Sequence, residues 1–288
     1  MDKNKMRKIV FYNSKGGTGK TTICFNYGWY LSEMKDKKIL FLDFDPQINL
    51  VQSFGLGTEN KEKKNLDRML TDHIKGRKIR LKDYVIEVND RIHLLPSSNN
   101  ISLAEEYLTD TLMKKSDKFS ARSGSSHRNI LLKNLIKDTV DHTDYDYVLI
   151  DSPSNFSLLS SVSLIYAMNI IIIIRPDFYS FLDIDYLKKI IKNLNKKYYV
   201  NIKINCILVN GYEKRKMTSK DGLMSITNKY SKEFDIIKKR IRYLSAFQSS
   251  ISIEKKPVFL SYPRSEAAKN ILDVFSELYD HVNIIKNN

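Results

Sequence analysis

Cysteine is nearly absent: Cys24 and Cys206 are the only two in 288 residues, far apart and without metal-ligand spacing. This excludes a disulfide framework and a thiolate metal centre, and the expected setting is a reduced cytosol. Long apolar runs are also missing. The longest aliphatic stretch, Ile170 to Ile174, falls far short of the roughly 20 residues that cross a bilayer. The charged opening Met1-Asp2-Lys3-Asn4-Lys5-Met6 has no apolar region behind it, so no secretion signal is read there and a soluble protein is expected. No internal repeat is present, which excludes solenoids. Acidic residues are in deficit, 33 against 48 Lys and Arg, leaving a net charge of +15. An excess of that size draws polyanions, either nucleic acid or an acidic membrane face. Part of it, including Lys35, Lys37, Lys38, Lys61, Lys63 and Lys64, reads as ordinary solvated surface.

What is present is an alternation of strand-like and helix-period segments. With 42% hydrophobic residues the chain can bury a large core, and a single domain over 1–288 is expected. Strands are expected near 7–13, 38–43, 91–95, 146–151, 169–174, 202–209 and 235–240. Helices are expected near 20–35, 128–142, 156–167, 181–197, 219–232 and 266–285. The pattern predicts an α/β fold, a doubly wound, mostly parallel sheet flanked by helices. Residues 56–90 read as a small helical elaboration. Residues 114–128, rich in Ser, Lys and Arg without apolar periodicity, read as a mobile loop.

The chemistry concentrates in Lys15-Gly16-Gly17-Thr18-Gly19-Lys20-Thr21-Thr22, placed between the apolar run Ile9–Tyr12 and a helical pattern. Three glycines let successive amides curl inward, and the loop opens onto a helix N-terminus, where partial positive charge favours an anion. A triphosphate fits such a cradle. Lys20 reaches the β/γ-phosphates and the Thr21 hydroxyl ligates Mg²⁺, so ATP and Mg²⁺ are the expected cofactors. A strict P-loop has Gly where Ser14 stands, which makes this a variant with an extra lysine at its head. Asp151 ends an apolar strand, where a carboxylate is costly unless it faces a cation or water; it is assigned to the metal's surroundings. The phosphate loop, the Asp43/Asp45 turn and Asp151 all fall at strand carboxyl ends, where ligands of such sheets bind.

The loop resembles the deviant Walker A box of the ParA/MinD family of dimeric P-loop ATPases. Asp43-Phe44-Asp45-Pro46-Gln47-Ile48-Asn49 resembles that family's switch I. The segment Leu94 to Glu106 is similar to the stretch after its third strand, and Tyr145 to Pro153 resembles its Walker B strand and switch II. The likeness covers about residues 7 to 282, and Pro46-Gln47 points to the ParA/Soj branch. It implies that Asp45 positions the attacking water while Asp43 lies near the magnesium waters. It implies that Lys15 crosses a two-fold axis to the partner's phosphates, giving an ATP-dependent homodimer, and that Asn210 contacts adenine. Phosphate-type DNA contacts would come from Arg215 and Lys216, and from Lys238, Lys239, Arg240 and Arg242.

The implied activity is ATP hydrolysis, weak without a partner, in the partition of a plasmid or chromosome. The dimer would bind DNA nonspecifically and be released by a centromere-bound ParB-like partner, so the protein would be nucleoid-associated. Only six residues precede the first strand, so the operator-binding module of larger members is not expected. A MinD-like role on membranes is the alternative. The stripe Ala267, Ile271, Leu272, Phe275, Leu278, Tyr279, Val282 and Ile285 would serve it, but Asp273, Glu277 and Asp280 interrupt it and no stable membrane association is expected. An iron–sulfur reductase would need cluster cysteines, which Cys24 and Cys206 do not match.

Overall fold

The computed structural model describes residues 6–56, 64–97, 121–177 and 180–284. Seven strands form one sheet: β1 (Arg7–Tyr12), β2 (Ile39–Asp43), β3 (Ile86–Glu87), β4 (Ile92–Leu95), β5 (Tyr147–Asp151), β6 (Asn169–Ile174) and β7 (Lys203–Val209). Their order is β3-β4-β2-β5-β1-β6-β7, and every pairing is parallel except β3 with β4. The longer helices are α1 (Lys20–Lys35), α3 (Leu66–Ile74), α4 (Ala121–Val140), α5 (Leu158–Ala167), α6 (Ser180–Tyr198), α7 (Met217–Tyr230) and α10 (Glu266–Ile284). Shorter ones are α2 (Asn49–Ser53), α8 (Ala246–Ser249) and α9 (Val258–Ser261).

Strands β2, β5 and β6 are buried on both faces, which is why they read as apolar runs. Along β1, Val10 and Tyr12 pack into a core under α4, α5 and α6, whereas Ile9 and Phe11 face a second core under α1 and α10. Close packing on the α1 side depends on Gly28, where an added Cβ would lie 2.0 Å from Cζ of Phe41. The stripe of α10 is spent inside this core: Ala267, Ile271, Phe275 and Leu278 are buried, with the Phe275 ring 5.1 Å from that of Tyr27.

Three expectations change. The strand expected at 235–240 does not form; that segment and the residues after it make isolated parallel bridges, Ile207 with Ile236 and Tyr212 with Arg242. Ile237 and Ile241 donate to the Ile207 and Val209 carbonyls of β7, both at 3.0 Å, but the Lys239 amide between them donates to the Glu277 carboxylate at 2.9 Å, which interrupts the ladder. Of the loop read at 114–128, residues 121–128 are the first turns of α4, while 114–120 lie outside the described residues. Leu132, Leu135, Ile136 and Val140 anchor that helix, and propagation backwards from an anchored helix costs little even through Ser and Gly. The elaboration at 56–90, described from residue 64, holds α3 and a short 3₁₀ turn but also β3, which caps the edge of β4.

Candidate nucleotide site

Register brings the two strand-end carboxylates together. Asp43 of β2 lies directly beside Asp151 of β5, and Asp151 beside Phe11 of β1. Alternation along the strands puts both acids on the α1 side of the sheet, in line with Phe41 and Leu149. The start of α1 meets them there. Thr21 donates its hydroxyl to Asp151 Oδ2 at 2.6 Å.

The phosphate loop needs left-handed backbone at Gly17 (φ 72°) and Gly19 (φ 96°), and α1 begins with no side-chain cap on its free amides and no acid in its first turn. An anion is the partner such an end lacks. The loop is fastened from below. Buried Asn13 donates to the Ile173 carbonyl at 2.7 Å and accepts from the Lys15 amide at 2.8 Å. Lys20 folds back so that Nζ donates to the Lys15 carbonyl at 3.3 Å and the Ser154 hydroxyl at 3.1 Å. Burial pulls the Lys20 ammonium below its ordinary pKa, although Asp151, Asp45 and Asp183 oppose that shift.

A cleft of about 430 Å³ opens here, bordered among others by Gly17, Lys20, Thr22, Asp45, Gln52 and Lys255. Behind Thr21, which lines the cleft, the two carboxylates are under-satisfied: Asp43 Oδ2 and Asp151 Oδ1 are buried without a hydrogen-bond partner. Burial, reinforced by Asp151, holds the Asp43 carboxyl well above the usual range; burial pushes Asp151 up to about 7 against the relief of the Thr21 hydrogen bond. Two orphaned carboxylate oxygens beside a threonine hydroxyl form an all-oxygen donor set, which suits a hard divalent cation such as Mg²⁺. Asp45 sits at the rim, 8% exposed. Its backbone amide donates to Asp43 Oδ1 at 3.1 Å and its Oδ1 accepts from the Gln47 amide at 3.0 Å, so the Asp-Pro-Gln turn fixes it over the cleft.

The family model for the AAA domain matches residues 6–206, which span the loop, both strand-end acids and Ser154. The chain belongs to that family, as a ParA-type P-loop ATPase. It is 26% identical over 273 residues to the virulence plasmid ParA family protein pGP5-D of Chlamydia psittaci, covering 95% of this chain and 94% of that one. It is 27% identical over 266 residues to the cell division protein PomZ of Myxococcus xanthus, covering 92% of this chain and 75% of PomZ. The fold matches a single-residue variant of Cyanothece McdA in complex with ATP at a TM-score of 0.75, with 22% identity over 96% of this chain and 97% of that one.

The remaining expected residues of this ParA-type chain fall in two places. Lys15 points away from its own cradle, half exposed, with Nζ 3.3 Å from Asp177 Oδ2. Asn210, at the end of β7, donates Nδ2 to the Thr18 carbonyl at 2.7 Å, so in this structure it clamps the loop; a cleft of about 400 Å³ lies next to it, bordered by Arg175, Gly211, Glu213 and Tyr243. The basic residues do not form one free patch. Lys216 pairs with Glu213 at 3.2 Å, Arg242 pairs with Glu266, Lys239 lies 3.9 Å from Asp273, and Arg240 stacks 5.7 Å over the Tyr212 ring. Arg215 is exposed and has no ion pair among the described residues. Sequence reasoning gave no role to Asn13 or Asp183, whose parts depend on tertiary neighbours; Asp183 faces Ser14 and Lys15 from α6, and burial raises its carboxyl.

Proposed function

We propose that this chain is a partition or positioning ATPase that binds Mg²⁺·ATP in the 430 Å³ cleft, dimerises with the nucleotide at the interface and hydrolyses it slowly. One observation carries the reading: a pair of buried, under-satisfied carboxylates, Asp43 and Asp151, facing Thr21 beside an uncapped helix end and a buried lysine. Each of these groups is costly alone, and a metal-bound triphosphate satisfies all of them together. Magnesium would be held near Thr21, Asp43 and Asp151, and its contribution is to neutralise phosphate charge. Lys20 takes the β/γ-phosphates, Asp45 orients the attacking water, and Lys15, already turned outward, reaches the phosphates of the second subunit. Asn210 and the neighbouring cleft stand where the later strands would receive the base.

The net charge of +15 supports nonspecific DNA as the surface partner, with release by a centromere-bound protein that stimulates hydrolysis. The likeness to pGP5-D, described as a virulence plasmid ParA family protein, supports a partition role, and the likeness to the cell division protein PomZ keeps a chromosome or another cargo open to test. The burial of the α10 stripe speaks for a core helix rather than a membrane anchor. Retention on random duplex DNA with ATP and not with ADP, falling steeply with salt, tests the reading. ATP-dependent pelleting with anionic vesicles and no DNA retention would replace it with the membrane role.

A further inference from the structure

Ser250–Glu254 form a π-helical turn, a local geometry that concentrates at functional sites. It ends at Lys255, whose backbone is left-handed, φ 54° and ψ 32°. A glycine would adopt that conformation without cost, whereas a lysine is strained in it. The conformation sends the side chain over Gly55, the residue that follows α2 and its cap, where a Cβ on the glycine would lie 2.9 Å from Lys255 Cγ. Gly55 is itself left-handed (φ 67°), and the bare backbone there makes room for the lysine stem. Lys255 borders the same cleft as Lys20, Thr22 and Asp45. Among the described residues no carboxylate pairs with it, although many lysines of this chain, such as Lys8, Lys188 and Lys229, have one.

We propose that Lys255 is a phosphate-binding residue of the nucleotide cleft, its ammonium aimed by the left-handed turn and by the seat of its stem on Gly55. This rests on the nucleotide reading above and adds to it a cation from the far side of the cleft. Gly55 follows α2, the helix that starts at Asn49 where the Asp43–Asn49 segment ends, so charge taken up by Lys255 also ties the 250–255 turn to that helix.

Three variants separate charge, stem and backbone. Lys255→Met keeps the stem and removes the charge, Lys255→Arg keeps the charge, and Lys255→Gly relaxes the backbone. Titration calorimetry with ATP, ADP and adenosine in Mg²⁺ reads the result. The methionine variant should lose about tenfold in affinity for ATP and ADP, the order of one charge-assisted hydrogen bond, with adenosine unchanged, and arginine should restore most of it. Melting temperature without nucleotide should be unchanged in the methionine variant and unchanged or higher in the glycine one. ATP affinity at the wild-type level in both Lys255→Met and Lys255→Gly overturns the proposal. An equal loss for adenosine also overturns it, in favour of a packing role. A wild-type chain that binds no Mg²⁺·ATP overturns the nucleotide reading itself.

Discussion

The carboxyl edge of the sheet and the basic surface at residues 213–242 carry their charges under opposite conditions. At the edge, Lys20, Asp43 and Asp151 are buried, and two carboxylate oxygens are left without partners. On the basic surface, Lys216, Lys239 and Arg242 are solvated and lie near acids of their own chain, Glu213 in the same loop and Asp273 and Glu266 on α10. Charge is expensive to bury and cheap to expose, so the first arrangement persists only if something compensates it, while the second persists by default. The edge is therefore the stronger functional statement. Lys216, Lys239 and Arg242 would have to exchange an internal acid for phosphate to contact DNA, whereas Arg215 would not.

The largest effect expected is at the edge. Lys20→Ala removes the buried cation that opposes the phosphates and should weaken ATP binding by at least about a hundredfold in calorimetry. Tight binding by that variant would break the contrast at its strongest point. Next, Asp45→Ala should retain ATP, hydrolyse it roughly a hundredfold more slowly and accumulate as a dimer, whereas Lys15→Ala should bind ATP and stay monomeric. Light scattering after size exclusion separates the two, and a normal dimer in the Lys15 variant would remove its role across the axis.

Smaller effects sharpen the comparison. Gly28→Ala pushes a methyl into the Phe41 ring and should cost about 1–3 kcal/mol in denaturant unfolding without touching any charge. Asp151 gives a pH signature. Its folded pKa lies above its unfolded value, so the folded chain holds the extra proton, and nucleotide-free stability from this group is complete at low pH and declines as pH rises toward about 7. Asp151→Asn should flatten that decline in thermal melts at pH 5 to 8. The smallest change belongs to the surface: Arg215→Ala should reduce the log–log salt slope of DNA binding by about 0.9 per lost phosphate contact, and Arg242→Ala, already paired with Glu266, by less.

Much of the edge is readable along the chain because its parts are local. The glycines of the loop, the strand-end position of Asp151 and the Asp-Pro-Gln turn each sit within a few residues of the element that orients them. What escaped the sequence was set by distant partners. Ser154 matters through Lys20, Asn13 through the Ile173 carbonyl, and Lys255 through Gly55. The strand expected at 235–240 is interrupted for the same reason, since Glu277, nearly forty residues on, takes the amide of Lys239. The neutralisation of Arg242 by Glu266 is likewise invisible in a tally of charge.

The bond from Asn210 to the Thr18 carbonyl joins positions 192 residues apart, and β1 finds its sheet partners only at β5 and β6. The shape of the phosphate loop therefore depends on a residue just past β7, remote in sequence, as well as on the loop's own glycines. A fragment that stops before β7 would carry the whole loop sequence without the clamp that shapes it.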